Sequence, residues 1–377
     1  MTESYTQLSK SPEETSRAVS SDRARAECSG LRILLAGPMS GPIGGVRAHL
    51  DRLRSGLYRR SMAVELVDES RDIGKSIYNL RSMRIVPYLR LLRRCNIAHI
   101  QSSLHIFRIF HLVACRLLGV YVVVTIHSWR SNGFLSALTR LFLRLAHRVI
   151  VVNEEIGARL KLPSYDVIPA FLPPVRRPHD LPVEVRRFID SARARGCFLL
   201  CANASKLTKY LGKDLYGLDL CIELISNIAY RSDVDAALVF VVSYPAANSP
   251  LYAHAQNLIV ERQLEDRFFL YNKPLDFVTL MTSCDLVLRP TVTDGDALTI
   301  REALYLGIPA VASDSVKRPE GTILFRNRDV ADFTDRTVAT LKGEKGIRAM
   351  SQGNDYDMYF SRYVDLYRSV CNTSIHG

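Results

Sequence analysis

The chain has 377 residues, 47% hydrophobic and 23% charged, which is typical of a soluble globular protein with room for two domains. No apolar stretch is long enough to span a bilayer, and residues 1–30 lack the core of a signal peptide, so we expect a disordered tail there. The eight cysteines form no C-x-x-C pair, which favours reduced cytosolic thiols over disulfides or a zinc site.

The net charge of +12 is concentrated in one part of the chain. Between Ile73 and Asn153 there is no Asp or Glu, whereas twelve basic residues occur: Lys75, Arg81, Arg84, Arg90, Arg93, Arg94, Arg108, Arg116, Arg130, Arg140, Arg144 and Arg148. Residues 77–95 and 134–149 have the periodicity of amphipathic helices, and basic helices of this kind favour an anionic membrane surface. A solvated basic face is the main alternative. Without a recognised binding signature, nucleic acid is not expected as a partner.

In chain order, the first half alternates apolar strands with amphipathic helices. A strand at 31–36, a glycine-rich turn at 37–45 and a helix at 46–57 open it as a Rossmann-type domain opens. The next predicted elements are strand 64–67, helix 77–94, strand 97–101, helix 106–118, strand 120–126, helix 134–146, and strands 148–152 and 165–169. This alternation predicts a parallel sheet that is covered on both faces.

A proline-rich stretch at 169–182 separates this series from a second one. The second series has strands 197–202, 236–243, 267–271, 286–288, 309–312 and 322–325, and helices 219–229, 253–262, 275–282, 330–341 and one near Ala297. An aromatic-rich helix follows at 355–369. We therefore predict an α/β protein with a tail at 1–30, Rossmann-like domains at 31–170 and 196–345, a linker at 171–195 and a C-terminal helical segment at 346–377.

Residues 285–314 carry the strongest functional signal. A buried strand leads through a turn ending at Asp294 and Gly295 into a helix, and Gly307 precedes the next strand. The N-terminus of a helix after a parallel strand presents unpaired N–H groups and favours anions. The carboxylates of Asp294 and Glu302 flank that position. The pattern suits a nucleotide sugar, with its diphosphate on the N–H groups and its hydroxyl groups on the carboxylates.

This arrangement resembles the donor site of the retaining GT-B glycosyltransferases of family four, also called group 1. There two glutamates, separated by seven residues, precede Ala and a Gly-x-Pro strand entry. Here Asp294 stands at the first position, and Glu302 with Ala303 at the second. The runs 313–314 (Ser-Asp) and 318–321 (Arg-Pro-Glu-Gly) are similar to a branch that assembles bacterial surface polysaccharides. The resemblance implies two Rossmann-like domains with a cleft between them and a last helix that crosses back onto the first.

The resemblance also implies roles for individual residues. Glu302 would accept hydrogen bonds from the ribose and Asp294 would hold sugar hydroxyl groups, while Gly295, Asp296 and Ala297 would contact phosphate or sugar through backbone N–H groups.

Candidates in the first domain follow from the same resemblance. Gly44 and Gly45 match a loop that lies against the donor diphosphate, where backbone must approach phosphate closely. His127 ends a hydrophobic strand and resembles the histidine that contacts the donor sugar; the alternative is a histidine at the edge of the core that bonds to the backbone. His99 is a weaker candidate at a similar strand end.

The expected diphosphate clamp departs from the family pattern. The family has Gly-Arg and later Lys-Gly after the first strand of the second domain, whereas this chain reads ANASKLTKYLGKDLYG. A diphosphate leaving group in a metal-free site needs about two cations, so we predict Lys206 and Lys213, with Lys209 also in reach. Asn272 and Lys273 match the loop that contacts the base, although a simple polar turn explains them equally well.

These features predict a retaining, metal-independent hexosyltransferase that needs no cofactor. Its donor would be a nucleotide sugar and its acceptor a lipid-linked or other glycan in surface polysaccharide or glycolipid biosynthesis. We expect it in the cytoplasm, peripheral on the inner face of the membrane. Two alternatives remain open: a nucleotide-sugar 2-epimerase of the same fold, and a non-catalytic sugar- or lipid-binding relative. The short Asp294 and the unusual clamp favour the second of these alternatives.

Overall fold

A computed structural model describes residues 30–40, 45–71, 77–129, 133–174, 180–230, 233–244, 249–294, 297–343 and 355–372, with the backbone alone for 355–357. The predicted tail lies outside the described residues, apart from Gly30. So do Gly44, Gly295 and Asp296, three of the predicted site residues.

The first domain is built on a seven-stranded parallel sheet of order β3-β2-β1-β4-β5-β6-β7. Its strands are β1 (Arg32–Gly37), β2 (Ala63–Asp68), β3 (Tyr78–Asn79), β4 (Ile97–Ile100), β5 (Tyr121–Ile126), β6 (Arg148–Val151) and β7 (Asp166–Val167). Its helices are α1 (Gly45–Arg59), α2 (Ile85–Arg93), α3 (His105–Leu117), α4 (Phe134–Phe142) and α5 (Glu154–Leu160). The central strands are mostly apolar because helices cover both faces. Their carboxyl ends form one edge, where Gly37 pairs with Asp68.

One predicted helix of this domain, at 77–94, is wrong in its first half. Tyr78–Asn79 instead adds a short strand to β2, and Leu80–Ser82 forms a 3₁₀ turn. The Asn79 side chain caps that turn by accepting from the N–H of Arg81, and Met83 closes it in the left-handed conformation at φ 55°. The α-helix therefore starts only at Ile85.

The second domain has a six-stranded parallel sheet of order β12-β11-β8-β13-β14-β15 and a small antiparallel hairpin, β9–β10. Its strands are β8 (Phe198–Ala204), β9 (Lys209–Tyr210), β10 (Lys213–Asp214), β11 (Ala236–Val242), β12 (Phe268–Tyr271), β13 (Leu286–Arg289), β14 (Ala310–Ser313) and β15 (Ile323–Phe325). Its helices are α6 (Val183–Ala194), α7 (Leu218–Ala229), α8 (Pro250–Glu261), α9 (Phe277–Met281), α10 (Leu298–Tyr305) and α11 (Val330–Leu341).

Helix α6 falls inside the stretch predicted as linker. Its apolar face, with Val185, Ile189 and Ala192, packs into the core on one side of the second sheet. It belongs to the second domain because its buried side chains pack there. The connecting segment between the domains is correspondingly shorter than predicted and ends at Pro182, the residue before the helix.

The last helix, α12 (Asp355–Asn372), returns to the first domain. Phe360, Tyr363 and Tyr367 are fully buried in one apolar cluster with Ile33 of β1 and Leu53 of α1. This contact matches the crossing helix expected from the resemblance. Among the described helices, none combines the length and the apolar character needed to cross a membrane.

Candidate functional site

The two domains enclose a cavity of about 130 Å³ at the carboxyl edges of their sheets. The first domain contributes the start of α1, and the second contributes strand ends and the first turns of α9 and α10: Gly45, Ala48, Arg52, Asn203, Ser243, Pro274, Leu275, Asp276, Phe277, Val278, Leu298, Thr299 and Glu302. Open α/β sheets bind ligands at this edge. Gly45 and Leu298 lie so close that a Cβ at Gly45 would meet the Leu298 Cδ1 at 3.5 Å.

Glu302 lies on the cavity side of α10 and joins the two domains. Its Oε1 accepts a hydrogen bond from Arg52 Nη2, and the same guanidinium donates from Nη1 to the carbonyl of Leu172 at 2.9 Å. Both side chains are almost entirely removed from solvent. The predicted donor-binding carboxylate therefore lies in the cavity, beside a cation from the first domain that the sequence analysis missed.

Asp294 is bound by two arginines that the sequence analysis also missed. Arg289 donates to both carboxylate oxygens, at 2.8 and 3.2 Å, and Arg318 Nη1 donates at 3.0 Å. Thr291 adds its hydroxyl group at 3.3 Å. Burial disfavours the ionised carboxylate, but the two arginines outweigh it and lower the pKa of Asp294 to about 2. Asp294 is thus a permanently charged centre of a hydrogen-bonded network.

Arg289 connects this network to the cavity. It ends β13, and its Nη1 donates to the carbonyl and the side-chain oxygen of Asn203, at 3.2 and 3.1 Å. Thr299 donates to the same Asn203 oxygen at 3.2 Å. Asn203 and Thr299 both line the cavity. The sequence contained one signal that could have identified Arg289. It stands at the end of an otherwise apolar, buried strand, and a charge in that place needs a partner.

The predicted clamp lysines lie elsewhere on the surface. Lys206 and Lys213 are both exposed, and neither is among the described side chains that line the interdomain cavity. Lys213 instead borders a separate cavity of about 230 Å³, together with Lys209, Asp219 and Arg328. The roles of the two lysines stay predictions.

The predicted base-contacting loop also faces partly away from the cavity. Lys273 Nζ donates to Glu184 Oε1 of α6 at 3.2 Å and is largely exposed. Asn272 is half-buried beside it. The residues that follow, Pro274 and Leu275, do line the cavity. The loop therefore borders the site, while the side chain of Lys273 points to α6.

His127 lies at the carboxyl edge of the first sheet, as predicted. Its Nε2 donates to Gln101 Oε1 at 2.8 Å, and its ring centre lies 5.2 Å from that of His49. Burial, with His49, His99 and Arg108 nearby, lowers its pKa well below 6.5, so the ring is neutral. A neutral imidazole with its proton on Nε2 leaves Nδ1 as a hydrogen-bond acceptor.

His99 is part of the core. Its ring forms hydrogen bonds to Tyr367 Oη at 2.6 Å and to Thr125 Oγ1 at 2.7 Å, so it ties α12 to the sheet. Burial lowers its pKa to about 3. This histidine is structural, which agrees with its weaker standing in the sequence analysis.

Residues 210–342 match the family model described as glycosyl transferases group 1. The match spans Asp294, Glu302 and the strands on either side of them. The second domain is a group 1 glycosyltransferase domain. No curated protein matches the sequence.

Three solved structures cover nearly the whole chain. HepE of Anabaena, in complex with UDP and glucose, aligns with a TM-score of 0.62 at 14% identity, over 91% of this chain and 99% of that one. A glycosyltransferase of Rickettsia africae aligns at 0.66 and 11%, over 91% and 99%. Sucrose-phosphate synthase of Thermosynechococcus elongatus aligns at 0.61 and 14%, over 91% and 100%. At these identities the likeness concerns the fold, and it confirms the predicted GT-B architecture.

The cavity between the two domains combines a carboxylate with two helix N-termini. The carboxylate of Glu302 faces the cavity and can accept hydrogen bonds from hydroxyl groups, whereas that of Asp276, which also lines it, caps α9 by accepting from the N–H of Val278. The N-terminus of α10, which follows Ala297, and that of α1, which begins at Gly45, both reach it. Converging helix N-termini stabilise negative charge.

Proposed function

We propose that this protein transfers a hexose from a nucleotide sugar to a hydroxyl group of an acceptor, with retention of the anomeric configuration. The observation that carries the proposal is the position of Glu302, buried in a cavity between two Rossmann-like domains and inside a group 1 glycosyltransferase domain. Glu302 accepts hydrogen bonds from the ribose hydroxyl groups. Arg52 holds one oxygen of the carboxylate and leaves the other for the ribose.

The donor diphosphate lies between the two helix N-termini, against backbone N–H groups at Gly45 and Ala297. The reaction needs no metal or cofactor on this proposal, because helix N-termini and nearby cations stabilise the leaving charge. The bond between the anomeric carbon and the diphosphate oxygen breaks while the acceptor oxygen bonds to the same face. The departing diphosphate takes the acceptor proton, so no side-chain nucleophile is required.

Asp294 acts indirectly in this account. Its carboxylate already accepts from Arg289, Arg318 and Thr291, so a sugar hydroxyl group would have to displace one of them. We propose that Asp294 positions Arg289, which in turn orients Asn203 at the cavity. His127, neutral and half-buried, contacts the donor sugar. Lys206, Lys213, Asn272 and Lys273 are secondary donor contacts that would require movement of their side chains.

The first donor class to test is UDP-sugars. The structurally similar HepE has been crystallised with UDP-glucose, at 14% identity to this chain. We propose a lipid-linked or glycan acceptor in surface polysaccharide or glycolipid synthesis, and a cytoplasmic protein that is peripheral on the inner face of the membrane. The basic, acid-free stretch between Ile73 and Asn153 supports that location, because anionic lipid attracts such segments.

A non-catalytic sugar-binding protein is the second candidate. The carboxylate of Asp294 is already bound by two arginines, and Lys206 and Lys213 do not line the cavity. Both observations favour this candidate, because they leave the cavity with fewer groups available for catalysis. In that case the nucleotide sugar would bind without being consumed.

Product analysis tests the function. The purified chain is incubated with UDP-, GDP-, ADP-, dTDP- and CMP-sugars, with a polyprenyl-diphosphate-linked sugar and with free oligosaccharides as acceptors. The proposal predicts acceptor-dependent nucleotide release and a product whose anomeric configuration, read by NMR, equals that of the donor. Inversion would contradict the proposed stereochemistry. Interconversion of donor sugars without acceptor would indicate an epimerase, and binding without turnover would indicate the non-catalytic candidate.

A further inference from the structure

A second cavity lies at the amino edge of the first sheet, opposite the edge that faces the second domain. Its volume is about 450 Å³, larger than the interdomain cavity of about 130 Å³. It lies between the 3₁₀ turn at 143–145, the start of β6 and the loop that leads into β7. None of the described residues that line it also lines the interdomain cavity, so any ligand it takes is separate from the sugar donor.

The charged groups of this cavity are mainly cationic. Arg144, His147 and Arg148 line it, and among the described lining residues only Asp166 supplies a carboxylate. Within the described part of the chain, neither arginine forms an ion pair. Arginines at helix ends often serve only to complement the helix dipole, but Arg148 begins a strand, so that explanation does not cover it. The cavity therefore has cations available for an anionic ligand.

His147 is approached by two hydrogen-bond donors although it can accept from only one. The backbone N–H of Val122 donates to its Nδ1 at 3.0 Å, and Arg116 Nη1 lies 3.1 Å from its Nε2. Burial, and next the charge of Arg116, lower the pKa of His147 below 6.5, so the ring is neutral. Because Nδ1 accepts from Val122, Nε2 carries the proton and faces a second donor. An anion beside Nε2 and Arg116 would accept from both.

Apolar side chains supply another part of the wall. Leu143 and Leu162 line the cavity together with the ring of Tyr165. That ring is held in place, because it packs so closely on α5 that a Cβ at Gly157 would overlap it at 2.4 Å. A ring-shaped organic group can pack against such a wall, whereas a bare inorganic anion would leave the wall in contact with water.

We propose that this cavity binds a phosphate monoester whose organic part is a ring, as in a nucleoside or sugar monophosphate. The phosphate accepts hydrogen bonds from Arg144, from Arg148 and from the opposed donors of His147 and Arg116, and the ring packs beside Tyr165. A phosphate dianion suits this set of donors because its three free oxygens can contact several cations at once. The volume is in the range of small-molecule sites.

The bound phosphate ester is neither the sugar donor nor the acceptor. The length of the sheet separates its cavity from the interdomain cavity, since β6 begins at one and ends toward the other. The proposal therefore does not depend on the proposed function, and it requires no turnover.

Calorimetric titration of the full chain tests the proposal. The probes are phenyl phosphate, inorganic phosphate and uncharged phenol, and phenyl phosphate is chosen because it has no ribose that could bind at Glu302. The variants Arg144→Gln and Arg148→Gln each remove one cation from the cavity. Their control is Arg84→Gln, which is exposed just before α2 at the opposite edge of the same sheet. Thermal melting verifies that each variant is folded.

We predict that phenyl phosphate binds the wild type about ten-fold more tightly than inorganic phosphate does, because the ring packs on the apolar wall, and that phenol does not bind detectably. Arg144→Gln and Arg148→Gln should each weaken phenyl phosphate binding about ten-fold, because a charge-assisted hydrogen bond is lost, while Arg84→Gln binds as the wild type does.

Three results would contradict the proposal. Unchanged binding in both Arg144→Gln and Arg148→Gln would place the phosphate elsewhere on the protein. Equal affinity for inorganic and phenyl phosphate would overturn the assignment of the ring. Binding to phosphatidic acid vesicles without binding of phenyl phosphate would overturn it in favour of a lipid headgroup. Absence of sugar transfer would leave each of these results unchanged.

Discussion

At the scale of single residues, Asp294 illustrates how a motif can be present while its chemistry is altered. The spacing of eight positions to Glu302 predicted two carboxylates at the mouth of the site. Only Glu302 faces the cavity, whereas Asp294 is bound by Arg289 and Arg318. The shorter side chain was visible in the sequence. Its partners were not, because Arg318 lies 24 residues away and meets Asp294 only through the fold.

Asp294 should make stability depend on pH in the acid range. Its folded pKa of about 2 lies below the usual 3.8, so it stabilises the fold above pH 4 and loses that contribution as the pH falls toward 2. We expect Asp294→Asn to lower the free energy of unfolding at neutral pH by about 2 kcal/mol, with the difference from wild type shrinking below about pH 4. Urea unfolding across the pH range measures this effect.

The control for this variant is Asp180→Asn. Asp180 also pairs with an arginine, Arg186 at 3.1 Å, but at the surface, where such pairs contribute about 0 to 1 kcal/mol. A loss in Asp294→Asn no larger than in the control, or one that persists unchanged at low pH, would contradict the assigned role of the buried network.

At the scale of elements, periodicity predicted the helices and strands that bury one full face. Helix α11 was predicted with its observed bounds, and α7 within one residue of them. Two of the errors fall where a local side-chain bond overrides the pattern. Asn79 caps a 3₁₀ turn where a helix was predicted, and Asn153 starts the unpredicted α5 by accepting from the N–H of Ile156. Such caps act over two or three residues, which is fewer than the number of residues needed to detect a periodic pattern.

The docking of α12 on α1 depends on the absence of one side chain. A Cβ at Gly56 would overlap the ring of Phe360, which is fully buried. We expect Gly56→Ala to destabilise the protein by about 1 to 3 kcal/mol despite its better helix propensity, because the overlap cannot be relieved without moving the ring. Urea unfolding measures the change.

Second-site rescue sharpens this test. Adding Phe360→Leu to Gly56→Ala should recover part of the lost stability, since the smaller side chain makes room for the methyl group. Ser55→Ala, on the same helix, is the control and should stay within about 1 kcal/mol of the wild type. A Gly56→Ala protein more stable than the wild type would show that α12 is not packed tightly on α1.

At the scale of the whole molecule, the two domains are joined at the cavity by Arg52 and Glu302. The two residues are 250 positions apart, so no local pattern could pair them. The two-domain plan, the cleft and the returning helix were all predictable, because each follows from alternation of elements and from a family signature. The cations around the cavity were not, because they come from strand ends and helices that only the tertiary structure brings together.

The central claim is that a nucleotide sugar binds in this cavity through Glu302. Calorimetric titration of the wild type and of Glu302→Gln with the tightest-binding nucleotide sugar tests it most directly, with exposed Glu261→Gln on α8 as control. We predict that Glu302→Gln binds about 10- to 100-fold more weakly, because charge-assisted hydrogen bonds to the ribose are lost, while the control binds normally. Equal affinity in Glu302→Gln and wild type, or no binding of any nucleotide sugar to the wild type, would contradict the claim.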